Sequence, residues 1–417
     1  MLTIEELTTL YTEFKYSEVI RKGTEFVAEK PDETTVWNLI ALSNKNLGQV
    51  EEAKLIYEKL LKNAPNDALL LYNLGNLHSS LGNFEKAISA FQHVLKLRPK
   101  LPQAIEALGI NYSRTGALER ARSCFEENIE LNPHHSSARF YLADTFRKLK
   151  KYEDAIFHFE LTDYSHSKIF QLECIYYLND RTLFDKKYME LSSKSAANPL
   201  LGCITTHASR RFKMEYKNGF CSNPLHCILH KTSFLDKRKD KNFISSLVKF
   251  ADTQLLKEKN QDLLQNGVQS AGNLFLLNNK LVSKLHSLIQ AEIENYREWF
   301  NHTNEPFLQR WPKRTKLYGW FVQMQSGGKL EAHIHKEGWL SGSIYLSVPE
   351  LEAEHGGDIV FTLHGANYPT GEASFPECQI SVEKGDICLF PSSLFHYTTP
   401  FSSTKHRISL AFDVIPY

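Results

Sequence analysis

Nothing in this chain pairs its cysteines. The seven (Cys124, Cys174, Cys203, Cys221, Cys227, Cys378 and Cys388) are odd in number, widely spread and contain no CxxC pair. That argues against a disulfide framework or a zinc ribbon and for a reducing compartment. Charge imbalance is also missing: 49 Lys and Arg against 48 Asp and Glu leave a formal net charge of +1, so no bulk field draws the chain to nucleic acid. The sharpest local departure, KTSFLDKRKDK at 231–241, reads as a solvated linker between domains. No apolar run approaches the roughly 20 residues needed to span a bilayer. The first residues, MLTIEELTTLYTEF, carry acids where a signal peptide would carry bases. The expectation is a cytoplasmic chain with neither nucleic-acid nor membrane partners, its oligomeric state unspecified.

What the chain does contain is a repeat. A 34-residue shift superposes ALLLYNLGNLHSSLGNFEKAISAFQHVLKLRPK (68–100) on PQAIEALGINYSRTGALERARSCFEENIELNPH (102–134), and the same phase takes in 34–66 and 136–164. Positions recur one by one: Gly48, Gly82 and Gly116; Ala53, Ala87, Ala121 and Ala155; Tyr57, Phe91, Phe125 and Phe159; Pro65, Pro99 and Pro133. The pattern resembles the tetratricopeptide repeat, a helix-turn-helix unit in which small residues let helices approach, aromatics fill the gap to the next unit and the proline ends the second helix. Residues 3–33 read as a degenerate first copy. Such solenoids present a groove to a peptide or protein partner without specifying which; a merely stiffening or dimerising role is the plainer alternative.

From about 165 to 300 the apolar spacing stays helical while the repeat fades. The segment GVQSAGNLF (267–275) reads as a loop or edge strand near a catalytic mouth. His207, His226 and His230 stand near Cys203, Cys221 and Cys227, but without tight pair spacing ordinary packing is the better reading than a zinc site.

After Trp311-Pro312 the period changes to alternation, in LYGWFVQMQ, SGSIYLSVP, GDIVFTL, CQISV, GDICLFPS and HRISLAFDVI. Short β-branched and aromatic runs between Gly, Pro and Ser turns predict an antiparallel sandwich or barrel. His333 and His335, one residue apart on a predicted strand, project from one face and can grip one metal ion. His396 ends a later strand and Arg407 follows it by eleven. Three ligands on one face with open positions opposite suit iron and oxygen chemistry.

At these residues the chain resembles the 2-oxoglutarate and Fe(II)-dependent oxygenases, in HIHKEGWLSGSIYL, GGDIVF, GDICLFPSSLFH and RISLAFDVIPY across about 317–416. The resemblance implies a double-stranded β-helix (jelly roll), Fe(II) held by His333, His335 and His396, and O2 and 2-oxoglutarate as cosubstrates. It gives Arg407, with Ser409 beside it, the far carboxylate of 2-oxoglutarate, and Tyr345 a hydrogen bond to that cosubstrate, core packing being the alternative for Tyr345. Trp320 and Trp339 are candidates for the substrate entry or for the core. Most of that superfamily has HxD where this chain has HxH, so His335 stands in place of a carboxylate, with Glu331 and Asp358 as other acids within reach.

The expected architecture is therefore α+β and multidomain: a tetratricopeptide solenoid over 1–165, a degenerate helical continuation or linker over 166–235, and a jelly-roll oxygenase over 236–417. The expected activity is hydroxylation, with a peptide or protein side chain as the favoured substrate. Two alternatives stay open. One is a cupin-type three-histidine dioxygenase, which Gly327, Gly385, Pro391 and His396 fit and the missing glutamate at Trp339-Leu340 does not. The other is a non-catalytic scaffold with a vestigial metal site.

Overall fold

The computed structural model describes residues 3–164, 166–192, 197–255, 258–259, 263–270, 272–277, 279–349 and 356–417. The chain divides into two compact units, Met1–Ser167 with Ala271–Leu277, and Lys168–Ser270 with Asn278–Tyr417.

The first unit is a run of antiparallel helix pairs. The expected degenerate copy is a pair, Ile4–Thr12 and Tyr16–Glu29, and four more follow, from Thr34–Asn46 with Val50–Asn63 to Ser136–Lys148 with Tyr152–Glu160. Each turn between helices in the three middle copies uses a glycine at positive φ (Gly48, Gly82 and Gly116, 75–76°), a conformation that costs glycine nothing. Pro65, Pro99 and Pro133 each stand two residues beyond the last helical residue of a pair, where a missing N–H cannot extend the helix. Ala53, Tyr57, Ala87, Phe91, Ala121, Phe125, Ala155 and Phe159 are all buried. The packing is close: a Cβ built on Gly75 would lie 2.8 Å from the Phe91 ring. The 34-residue periodicity is the repetition of that helix-on-helix contact.

The second unit opens with three helices, Ser167–Tyr177, Arg181–Ser192 and Pro199–Phe212. The fading repeat suggests that 166–235 continues the solenoid or links it onward; these helices instead belong to the same compact unit as the sheet. A buried network joins them to it, because the Tyr176 hydroxyl meets His207 Nδ1 at 2.6 Å, His207 Nε2 lies 3.0 Å from His364 Nδ1, and Tyr368 donates to Glu173 at 2.6 Å. The 231–241 basic stretch is likewise part of this unit.

Among the described residues the sheet has ten strands: β1 (Leu229–Lys231), β2 (Glu258–Lys259), β3 (Leu264–Ser270), β4 (Thr315–His333), β5 (Leu340–Ser347), β6 (Ile359–Thr362), β7 (Glu377–Ile380), β8 (Ile387–Pro391), β9 (Phe395–Thr398) and β10 (Arg407–Pro416). Their order is β1-β8-β5-β10-β4-β9-β6-β7, with β3 on β4 and β2 on β3. The 19-residue β4 serves two layers. Its first half pairs with β10 (Met324 opposite Arg407) and its end pairs with β9 (His333 opposite His396). One strand shared between β8-β5-β10-β4 and β4-β9-β6-β7 curls the antiparallel sheet into the winding of a jelly roll. Helix Lys241–Leu255 packs on β3, β4 and β5, and Phe250 meets Phe321 at 6.1 Å between ring centroids. Both faces of the central strands are therefore covered, and β5, β8 and β10 are buried almost throughout.

Candidate metal centre

Strand alternation sets the site. Along β10, Ile408, Leu410, Phe412 and Val414 are buried on one face, and Arg407, Ser409, Ala411 and Asp413 line a cavity on the other. Trp320, Val322 and Met324 of β4 form the adjoining wall by the same period-two rule. The cavity is about 370 Å³, and His333, His335, Tyr345, Phe390 and His396 also line it.

β4 ends at His333, so His335 stands just past the strand rather than on it, held there by its own amide donating to Ser392 O at 3.1 Å. A register shift between Leu330 and His333 turns the end of β4 toward the cavity. His396 comes from the facing β9. Among the described residues these three offer ring nitrogens within 4.8 Å of one another.

The outward nitrogens decide where the inward lone pairs are. His333 Nδ1 lies 2.8 Å from Glu331 O, His396 Nδ1 lies 3.3 Å from Leu394 O, and His335 Nδ1 lies 2.5 Å from Asp413 Oδ1. Carbonyl and carboxylate oxygens only accept, so each Nδ1 carries a hydrogen and each Nε2 is the nitrogen left to face a metal. The Nε2 atoms of His333 and His335 stand 3.2 Å apart. Two lone pairs at that distance repel, whereas two ligands at right angles on a metal about 2.1 Å away are separated by about 3.0 Å. Burial, followed by the charge of His335, holds His333 down to about 4, and burial followed by His333 and His335 pushes His396 well below its ordinary range. Both rings are therefore neutral at physiological pH, as a metal ligand must be. The donor set fits a divalent transition ion.

Arg407 completes the cavity. It is buried, its Nε has no hydrogen-bond partner, and no carboxylate pairs with it among the described residues. Its guanidinium lies 5.0 Å from the centre of the Tyr345 ring and its Nη1 is 3.9 Å from Met324 Sδ. A buried cation left so is costly unless an anion joins it, and a guanidinium fork suits a carboxylate. Ser409 lines the same wall. Tyr345 satisfies both expectations, because it lines the cavity and also belongs to the apolar cluster with Ile359, Phe361, Cys388 and Phe390.

The other candidate acids are engaged elsewhere. Glu331 pairs with Lys329 at 2.8 Å and accepts from Gln265 at 3.1 Å, and Asp358 accepts from Gln379 at 2.5 Å. Trp320 lines the cavity, while Trp339 is buried with its indole N–H on Phe307 O at 2.9 Å. In GVQSAGNLF, Gly267–Gln269 extend β3 alongside β4, and Leu274–Leu276 form a 3-10 turn that belongs to the first unit. The remaining histidines do not join the cysteines: His207 meets Tyr176 and His364, and His230 meets Asp386 at 3.0 Å. Cys221 and Cys227 do lie beside Glu305, all buried, but that carboxylate already accepts from the amides of Ser222 and Asn223. Asp413 was not singled out by motif. The i, i+2 rule that places Ser409 beside Arg407 reaches it two steps further along β10.

A curled antiparallel sheet whose cavity gathers three imidazoles and a buried arginine, joined in sequence to a tetratricopeptide solenoid, is the architecture on which the comparisons bear. The particular family follows: residues 318–413 match the one described as "Putative 2OG-Fe(II) oxygenase", and 34–67, 68–101 and 106–161 match tetratricopeptide repeat families. The family models thus place three tetratricopeptide repeat matches in the N-terminal part of the chain and one match to that oxygenase family in its C-terminal part. Tetratricopeptide repeats generally mediate protein–protein interaction. No curated protein matches the chain. Solved structures similar to it include a tetratricopeptide repeat protein from Parabacteroides merdae (16% identity, 49% of this chain and 84% of that one, TM-score 0.43) and pilF of Pseudomonas aeruginosa (16%, 48% and 92%, TM-score 0.41). Likenesses this distant carry no functional argument. No helix of the described residues is long and apolar enough to cross a membrane.

Proposed function

We propose that the chain is an Fe(II)- and 2-oxoglutarate-dependent hydroxylase acting on a peptide or protein side chain. The observation that carries this reading is one cavity lined by three imidazoles whose Nε2 atoms face one another and by a buried arginine that no carboxylate among the described residues pairs with. His333, His335 and His396 would hold the iron, which supplies the redox chemistry coupling O2 and 2-oxoglutarate to hydroxylation of a C–H bond. Arg407 takes the far carboxylate of 2-oxoglutarate in a bidentate grip and Ser409 adds a hydroxyl to it. The Tyr345 ring holds the guanidinium in place from below. Val322, Leu330, Ile359 and Phe390 make the wall apolar and keep bulk water from the bound cosubstrate. The repeats on the same chain supply the reason for favouring a protein substrate.

A cupin-type centre would account for the three histidines but leave Arg407 unexplained. The test is succinate release from 2-oxoglutarate by purified full-length protein with Fe(II), with and without peptides from a cell extract. An anaerobic visible charge-transfer band with Fe(II) and 2-oxoglutarate is the binding readout. Its presence in wild type and loss in His396→Ala supports the reading; wild type giving neither band nor succinate sinks it.

A further inference from the structure

The three histidines are not held alike. His333 and His396 each send Nδ1–H to the carbonyl of the residue two before them, Glu331 and Leu394. These are backbone dipoles without net charge. His335, which stands where most of the superfamily places a carboxylate, sends Nδ1–H to Asp413 Oδ1 at 2.5 Å instead. Asp413 is 8% exposed and sits on the cavity face of β10.

The carboxylate is itself fixed. The Ser341 hydroxyl donates to the same Oδ1 at 2.7 Å, and Ser392 Oγ lies 2.7 Å from Ser341 Oγ. The Ser392 carbonyl accepts the backbone amide of His335, so both ends of the His335 residue are tied to one cluster. Gly338 leaves the cluster its room: a Cβ there would come within 2.6 Å of Ser392 Oγ and 3.2 Å of Asp413 Oδ1. A small-residue position, two serines and an acid thus converge on the outward nitrogen of one ring.

We propose that Asp413 is a positioning residue for the metal centre, which turns Nε2 of His335 inward and supplies through that ring the negative charge that a directly bound carboxylate would otherwise bring. A carboxylate behind an imidazole makes the inward nitrogen a stronger donor and fixes the ring's rotation. In this chain the charge is moved one ring outward rather than lost. The inference rests on the metal-site reading above and gives HxH a physical meaning: the pair of residues His335 and Asp413 does the work of one acid.

The test uses full-length wild type, Asp413→Asn and Asp413→Ala under anaerobic conditions. Mn(II) affinity comes from calorimetry, and the energy of the charge-transfer band from Fe(II) with 2-oxoglutarate. Asn keeps the size and an accepting oxygen but not the charge. We expect it to weaken Mn(II) binding by about 10- to 100-fold and to move the band to shorter wavelength, because the iron is then less electron-rich. Asp413→Ala weakens binding further. A residue that merely packs would not shift the band. Wild type binding neither metal sinks the metal-site reading and this inference with it. Wild-type binding with an Asp413→Asn protein of equal affinity and unmoved band sinks the inference alone. Should the variants not fold, nitrogen-15 histidine spectra of the Zn(II)-loaded wild type decide: a strongly downfield Nδ1 proton on His335 supports the assignment, and metal on Nδ1 or a proton on Nε2 overturns it.

Discussion

Replacing Arg407 by methionine should do two opposite things. The arginine is 3% exposed, its Nε is unpartnered, and among the described residues no carboxylate forms an ion pair with it. Without cosubstrate the fold therefore carries a buried cation with no paired carboxylate among the described residues, offset by the Tyr345 ring at 5.0 Å and by the longer-range charge of Asp358. Such a contact contributes about 1–2 kcal/mol when desolvated, and exchanging buried ionic groups for apolar ones of similar volume is neutral or stabilising by about 1–4 kcal/mol. Methionine can lie along Met324 and Tyr345, so the ligand-free variant is expected to be at least as stable as wild type, by up to about 2 kcal/mol. Cosubstrate binding moves the other way. Removing one partner of a buried charge pair costs about 2–5 kcal/mol, and 3 kcal/mol is roughly 100-fold in Kd. At 2-oxoglutarate a hundred times its wild-type Kd, the wild-type fold gains about 2.7 kcal/mol from the ligand. The variant, then at about its own Kd, gains about 0.4 kcal/mol. Anaerobic melts with Mn(II), with and without 2-oxoglutarate, read both numbers. A variant that melts well below wild type without ligand, and still shifts fully with it, would refute the idea that Arg407 awaits an anion.

Other outcomes follow from separate features. His335→Asp writes the commoner HxD pattern into the chain but sets a second carboxylate against Asp413; we expect metal affinity by calorimetry to fall below wild type and to recover in part when Asp413→Asn is added, since like charges at close range are unfavourable. His207, fully buried, is held down to about 3, first by burial and then by His364 and Arg211. The unfolded chain takes up a proton below its ordinary value of 6.5 while the fold does not until about 3. Stability of the second unit should therefore fall as pH drops from about 6.5 toward 3, by up to a few kcal/mol, and His207→Phe should flatten that slope in denaturant titrations. In the solenoid, Gly75→Ala drives a Cβ to 2.8 Å from Phe91 and should destabilise the first unit by about 1–3 kcal/mol, read as an earlier urea transition; an unchanged midpoint would mean that the helix pair has slack.

Repeats were legible because each unit buries the same contacts in the same order, so Ala87 and Phe91 can be read as core from Ala121 and Phe125 without any coordinates. Strand alternation made β4, β5, β8 and β10 readable, and with them the cavity-facing Ser409. Less was legible where neighbours in space are far apart in sequence. The helices over 167–212 have apolar spacing that suits either unit, and their membership was set by contacts such as His207 with His364, 157 residues apart. Whether Glu331 or Asp358 could reach the site was also beyond motif reasoning, because Lys329, Gln265 and Gln379 decide it.

By itself the sequence determined the solenoid, the jelly-roll strands and the residue types at the centre, since periodicity and side-chain chemistry are properties of short stretches. Tertiary structure alone decided the rest. It set His333 opposite His396, left Arg407 Nε buried without a hydrogen-bond partner and brought Asp413 behind His335 across 78 residues. Charge compensation depends on distances between strands, and those distances exist only once the sheet has curled.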